Sequence, residues 1–137
     1  MEHFEYTTDS RYLALVGGDI KTATMLAIGI AKQIEADKTE TPSEYGNYWA
    51  MTVKQWEELG FGGKDSQKSS RKKLVETEFW IDRRWGYPKH TEYLVKLEII
   101  EELIAKMKEA EQKEAERLAI IKKRKQEERL KELMGDG

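Results

Sequence analysis

Between Asp19 and Asp37, apolar residues come so densely that they cover nearly the whole circumference of a helix. Ile20, Ala23, Met25, Leu26, Ile28, Ile30, Ala31 and Ile34 carry the pattern, and a helix apolar almost all round belongs at the centre of a core. Asp19 is a good N-cap for it. Gly29 costs such a helix about 1 kcal/mol relative to Ala, a cost that suits a position of close helix–helix contact. Upstream, Phe4, Tyr6, Tyr12, Leu13, Leu15 and Val16 lead into Gly17-Gly18 and predict a short strand or an extended lead-in. Downstream, residues 38–47 hold Thr41-Pro42-Ser43 and Gly46, the composition of a polar surface loop.

From Tyr48 the pattern changes. A short aromatic strand, Tyr48-Trp49-Ala50-Met51, is followed by Thr52 and, three residues on, Gln55, the spacing of a capping box. The helix it opens carries Val53, Trp56 and Leu59 on one face and stops at Gly60. After Phe61-Gly62-Gly63 the chain restarts at Asp65-Ser66, both good N-caps, and stays helical to about Glu78, with Ser70, Leu74 and Thr77 toward the core. Phe79 to Arg84 is extended, Trp85-Gly86-Tyr87-Pro88 is a turn, and Thr91 to Leu97 is the returning strand. Trp49, Trp56, Phe61, Phe79, Ile81, Tyr93 and Val95 are spaced for burial; alternation leaves Trp80 open. From Glu98 to Met134 there is no proline or glycine, and strong helix formers dominate. Ile100, Leu103, Ile104 and Met107 make an apolar stripe that fades through Ala110, Ala115, Leu118 and Ile121. Glu114 and Lys125 stand where a strict heptad wants apolar residues, and Leu130, Leu133 and Met134 briefly restore the stripe.

Helix, glycine turn, helix and hairpin, in that order, make a winged helix-turn-helix. The predicted fold class is mainly α with a small β-hairpin wing (α+β). The winged-helix domain spans 1–97, with its helix-turn-helix at 52–78 and its wing at 79–97. Residues 98–137 form a long charged C-terminal helix that could act as a coiled coil. Thr52-Val53-Lys54-Gln55-Trp56-Glu57-Glu58-Leu59-Gly60-Phe61 resembles the first helix and turn of the winged-helix domain of phage and plasmid replication initiators (replisome organisers). Ser70-Arg71-Lys72-Lys73-Leu74-Val75 resembles their recognition helix. Arg83-Arg84-Trp85-Gly86-Tyr87-Pro88, with Tyr93-Leu94-Val95, resembles their wing. The likeness covers roughly residues 12–104. Gly62-Gly63 stands where that family tends to carry a Ser or Thr cap, and Glu78 replaces its usual glycine. The resemblance implies sequence-specific binding to double-stranded DNA at an origin or promoter of a mobile element. Such initiators usually continue into a helicase-recruiting domain that has no counterpart in this sequence, so transcription regulation stands beside replication initiation.

Charge distribution points the same way. Residues 1–60 hold five Lys/Arg against ten Asp/Glu, a net of −5; residues 61–97 hold nine against five, a net of +4; residues 98–137 hold ten against eleven, a net of −1. Basic charge thus collects where such a fold reads DNA. Lys64, Lys68, Arg71 and Lys72 recur at three- and four-residue spacing and predict a groove-facing surface, flanked by Gln67 and Ser69 as neutral hydrogen-bonding residues. Arg83, Arg84, Lys89 and His90 bracket the wing tip and predict phosphate or minor-groove contact. The competing reading for each is an ordinary solvated face, or arginines that solubilise an edge strand. Lys122-Lys123-Arg124-Lys125 is the densest basic run; it suits a phosphate backbone or an acidic partner, while the acids after it, Glu127 and Glu128, favour a solvated helix face.

At 137 residues there is room for one domain with a sizeable core plus an appendage. Cysteine is absent, which removes disulfides, thiolate metal sites and cysteine nucleophiles, and fits a reducing compartment. The acidic N-terminus lacks a basic-then-apolar leader. The longest apolar stretch, Met25 to Ile34, is interrupted by Gly29, Lys32 and Gln33 and is too short to span a bilayer. The expectation is a cytoplasmic protein with no membrane partner. His3 and His90 are the two histidines, and no catalytic triad, phosphate-cradling loop or metal-ligand spacing occurs; no enzyme, cofactor or metal is expected. The partners expected are double-stranded DNA and, through the C-terminal helix, a second copy of the chain or a host or phage protein. The alternative is a protein-binding adaptor or inhibitor that uses a winged-helix scaffold without binding DNA.

Overall fold

The structure is a computed structural model and describes residues 10–39, 46–85 and 90–135. Two compact units divide the chain, Met1–Ile100 and Glu101–Gly137.

The first unit is built from α1 (Ser10–Leu15), α2 (Ile20–Thr39), β1 (Trp49–Ala50), α3 (Val53–Glu58), α4 (Lys64–Val75), β2 (Trp80–Trp85) and β3 (His90–Val95), and it ends on the start of α5 (Leu97–Leu133). The three strands form one antiparallel sheet in the order β1-β3-β2. Trp49 stands opposite Tyr93, and β2 pairs with β3 from Trp80↔Val95 to Trp85↔His90. The result is a mainly α fold with a small sheet whose β2–β3 hairpin is the wing, as expected.

Residues 10–15 are helical, which corrects the strand or extended lead-in expected there. Leu13 and Val16 fall on one side of a turn closed by Gly18 N–H on the Leu13 carbonyl at 2.8 Å, and Val16 is buried. Phe4 and Tyr6 lie outside the described residues, as does most of the predicted 38–47 loop.

The α2 helix is the core helix: Thr22, Ala23, Met25, Leu26, Ala27, Ile28, Gly29 and Gln33 are buried. Its apolar girdle is incomplete, because Ile20 and Ile34 are exposed. Gly29 does not meet another helix. It meets the Trp80 ring: a Cβ there would lie 2.8 Å from Cη2 and nearer still to Cζ3. The absence of a side chain at Gly29 is what lets the Trp80 ring approach α2 so closely. Trp80, left open by alternation, is therefore core, and so is Phe79, whereas Ile81 is half-buried. Phe79 sits in the bend before β2, where the two-residue period of a strand does not yet apply.

Trp49, Trp56, Trp80 and Tyr93 form one aromatic cluster with ring centroids 4.9–6.4 Å apart. Trp56 Nε1 donates to the Tyr93 hydroxyl at 3.2 Å. The edge-to-face pairs within it each add about 0.5–1.5 kcal/mol beyond burial. Gln33 of α2 completes the sheet. Continuing the β1–β3 register by two residues puts Asn47 opposite Val95, but there the strands have parted and the Gln33 carboxamide fills the gap. Its oxygen accepts from Val95 N–H at 2.8 Å and Trp49 Nε1 at 3.0 Å. Its nitrogen donates to the Asn47 carbonyl at 2.9 Å and Asp37 Oδ1 at 3.0 Å. One side-chain amide thus stands in for a missing stretch of ladder.

Candidate nucleic-acid interface

The helix-turn-helix is assembled as its sequence predicts at its first end and differently at its second. Thr52 Oγ1 accepts from Gln55 N–H at 3.1 Å and Gln55 Oε1 accepts from Thr52 N–H at 2.8 Å, so the capping box is complete. At the other end of α3, Phe61 N–H reaches the Trp56 carbonyl at 3.1 Å across Gly60, whose φ is +97°. That six-to-one bond closes a Schellman turn, and its left-handed residue favours glycine. The following helix was expected from Asp65-Ser66 to about Glu78; α4 instead runs Lys64–Val75 with Gly63 as N-cap and no side-chain capping bond. Asp65 falls in its first turn, where a carboxylate complements the helix dipole.

Gln67 explains why α4 starts early. Its Nε2 donates to the Val53 carbonyl at 2.9 Å and the Gly62 carbonyl at 2.8 Å, and the residue is 1% exposed. It ties the turn and α3 to α4 from inside, which removes it from the predicted DNA-contacting set. Ser70 and Leu74 are buried beside it and Thr77 is half-buried, as their spacing predicts.

Arg71 departs from the predicted face in a different way. Its side chain is 17% exposed and turned toward β2, with Nη1 4.0 Å from Asp82 Oδ2. Its Nε is buried without a hydrogen-bond partner. It braces α4 against the sheet rather than projecting outward. Lys73 is likewise engaged: its Nζ lies 2.6 Å from Asp19 Oδ2, at the N-cap of α2. Asp19 also accepts from the Thr22 hydroxyl at 2.6 Å and Lys21 N–H at 3.2 Å. The Lys73 ammonium first, and the Thr22 hydroxyl next, hold the Asp19 carboxyl down at about 2. Lys21 reaches back from α2 to the Ser66 hydroxyl and carbonyl. The two lysines anchor α4 to the start of α2 at both of its ends.

In the hairpin, Glu92 sits between two of the predicted wing contacts. Arg83 Nε is 3.2 Å from its Oε1 and His90 Nε2 3.8 Å from its Oε2. The Arg83 guanidinium also stacks 3.5 Å above the Tyr48 ring, a cation–π contact that holds it along the sheet. Arg84 is exposed. Lys89 and the tip residues Gly86, Tyr87 and Pro88 lie outside the described residues.

Of the nine predicted contacts five are exposed among the described residues: His90, which lies beside Glu92, and four cations. Lys64, Lys68 and Lys72 are exposed at successive turns of α4, with Ser69 exposed beside them, and Arg84 is exposed on β2. Among the described residues, none of these four cations takes part in an ion pair within 4.0 Å. Arg71, Arg83 and His90 face carboxylates. Among the described residues there is no group of three or more His, Asp or Glu that could hold a metal ion, and no helix long and apolar enough to cross a membrane.

Compared with known protein families, curated proteins and solved structures, the chain matches none.

Proposed function

We propose that this protein binds double-stranded DNA in a sequence-dependent way, with the outer face of α4 as the element that enters the major groove. The observation that carries the reading is the row of Lys64, Lys68 and Lys72 along the solvent side of the second helix of a helix-turn-helix. Side chains at intervals of four lie on one ridge, one helical turn apart. Ammonium groups spaced by about 5–6 Å suit successive phosphates along a groove wall. Ser69, beside the row, supplies a short hydrogen-bonding side chain for a base edge. Arg84 extends the basic surface onto the wing. Arg71, Gln67, Lys73 and Arg83 support the reading indirectly, by holding α4 and the hairpin rigid.

The resemblance to phage and plasmid replication initiators supports a mobile-element origin or promoter as the target, in the cytoplasm and without a catalytic step. The functional choice between replication initiation and transcription regulation follows from what the C-terminal helix engages.

Fluorescence anisotropy with a duplex of neighbouring sequence and a random duplex, across a salt series, tests the proposal. Three to four phosphate contacts give a slope of log K against log salt of about −3 to −4. Replacing Lys64, Lys68 and Lys72 together with Ala should flatten that slope by about 3 and weaken both duplexes alike. Binding that is equally strong in the triple variant would discard α4 as the reading element. Absence of binding to either duplex at low salt would favour the protein-binding adaptor.

A further inference from the structure

The second unit carries its own instruction for partner choice. Residues 101–116 hold six Glu and three Lys, a net of −3, whereas residues 117–133 hold seven Lys/Arg and three Glu, a net of +4. The polarity is repeated on one face of the helix. Glu111, Glu114, Leu118, Lys122 and Lys125 follow each other at intervals of three, four, four and three, all exposed. At 100° per residue they fall within about 80° of arc. Leu118 stands at the middle, flanked by Ala115 and Ile121, with two acids on its N-terminal side and two bases on its C-terminal side. Glu114 is paired with Arg117 one turn along the same helix, at 2.7 Å and exposed, and a pair of that kind contributes little and exchanges readily.

We infer that this face pairs with the same face of a second copy of the chain, antiparallel, in a register centred on Leu118. In that register Leu118 meets its own copy, Glu114 stands level with the other copy's Lys122, and Glu111 stands level with its Lys125. Two-fold symmetry doubles each pair. A parallel arrangement would set Glu111, Glu114, Lys122 and Lys125 each against itself, with two like-charge layers on either side of one leucine. Like charges facing across an interface disfavour that arrangement strongly. The polar residues at Glu114 and Lys125 that break a strict heptad thereby become the determinants of orientation, a role attested for polar positions in helical pairs. The inference does not depend on the DNA reading.

Charge exchange in the full chain, followed by sedimentation equilibrium at low salt, tests it. The wild type should dimerise, and the dimer should weaken as salt rises. Glu111→Lys with Glu114→Lys should weaken the dimer by more than about tenfold, since it sets Lys against Lys. Adding Lys122→Glu and Lys125→Glu to that variant should restore self-association, because the exchanged face is again complementary to itself. The fourfold variant should not mix with wild type. Far-ultraviolet circular dichroism confirms that each variant keeps its helix. A wild type that stays monomeric at every concentration, or a fourfold variant that pairs with wild type in preference to itself, overturns the antiparallel assignment.

Discussion

Replacing Gln33 with Met isolates the side-chain bridge between α2 and the sheet. Methionine matches glutamine closely in length and volume, so the substitution removes the amide without opening a cavity. Four hydrogen bonds disappear with it, to Val95 N–H, Trp49 Nε1, the Asn47 carbonyl and Asp37 Oδ1. The losses are unequal. Asp37 keeps a bond from the Asn47 amide at 3.1 Å, and Asn47 is only half-buried, so water can reach the acceptor side. Val95 N–H and Trp49 Nε1 are both buried, and each then lacks an acceptor. A buried donor left unpaired costs about 1–3 kcal/mol, so the pair amounts to roughly 2–6 kcal/mol. Some of that is offset by the better transfer of a thioether into an apolar surround, which leaves an expected destabilisation of about 2–4 kcal/mol. Against a total of about 5–15 kcal/mol for a domain this is a large fraction. Urea unfolding followed by tryptophan fluorescence would read it as a lowered midpoint with an unchanged slope. A Gln33→Met protein within about 1 kcal/mol of wild type would refute the idea that this amide replaces the ladder.

Gly29→Ala should cost about 1–3 kcal/mol in the same assay, because the methyl group drives into the Trp80 ring and also crowds Val95 at 3.3 Å; a neutral result would mean that Trp80 has another place to go. For Asp19→Asn the expected effect depends on pH. The folded carboxyl titrates at about 2, below its value of about 3.9 in an unfolded chain, so its contribution is complete above about pH 5 and fades as pH falls toward 2. With Lys73 half exposed, solvent limits the gap to about 1 kcal/mol, and wild type and variant should converge in acid unfolding curves; a gap that persists at pH 2 would contradict the ion-pair origin. Lys72→Ala should lower the salt slope of DNA binding by about one, whereas Arg71→Met should leave that slope intact and lower the unfolding midpoint, since Arg71 faces Asp82. The reverse pattern would return Arg71 to the groove.

Local signals in the sequence were the dependable ones. Thr52 with Gln55 predicts its capping box and Gly60 its turn, because each rests on hydrogen bonds or backbone angles spanning a few residues, and the two extended runs on either side of residues 86–89 pair as the strands of a hairpin. The four glutamine and arginine positions whose surroundings the sequence does not show share a different property. Gln33 and Gln67 count as polar in any periodicity, yet both are buried, because a carboxamide can satisfy backbone groups of a distant loop. Gln33 bonds Asn47 and Val95; Gln67 bonds Val53 and Gly62. Val95 lies 62 residues from Gln33, and the nearer partners, 5 to 14 residues away, fall off the three- and four-residue steps that periodicity reads. Arg71 and Arg83 carry the right charge at the right spacing, and their direction is set by Asp82 and Glu92 on strands that only the folded sheet brings alongside. The candidate face was therefore legible as a helix and a charge excess, and the choice among its cations was not.

The aromatic cluster has an experimental consequence. All tryptophan, tyrosine and phenylalanine residues lie before residue 94, and none occurs in residues 98–137. Near-ultraviolet dichroism and intrinsic fluorescence are thus blind to the tail, while the signal at 222 nm adds the long uninterrupted helix to the helices of the first unit. In one sample watched at both wavelengths during a single melt, a transition at 222 nm that the aromatic signals do not share belongs to the tail.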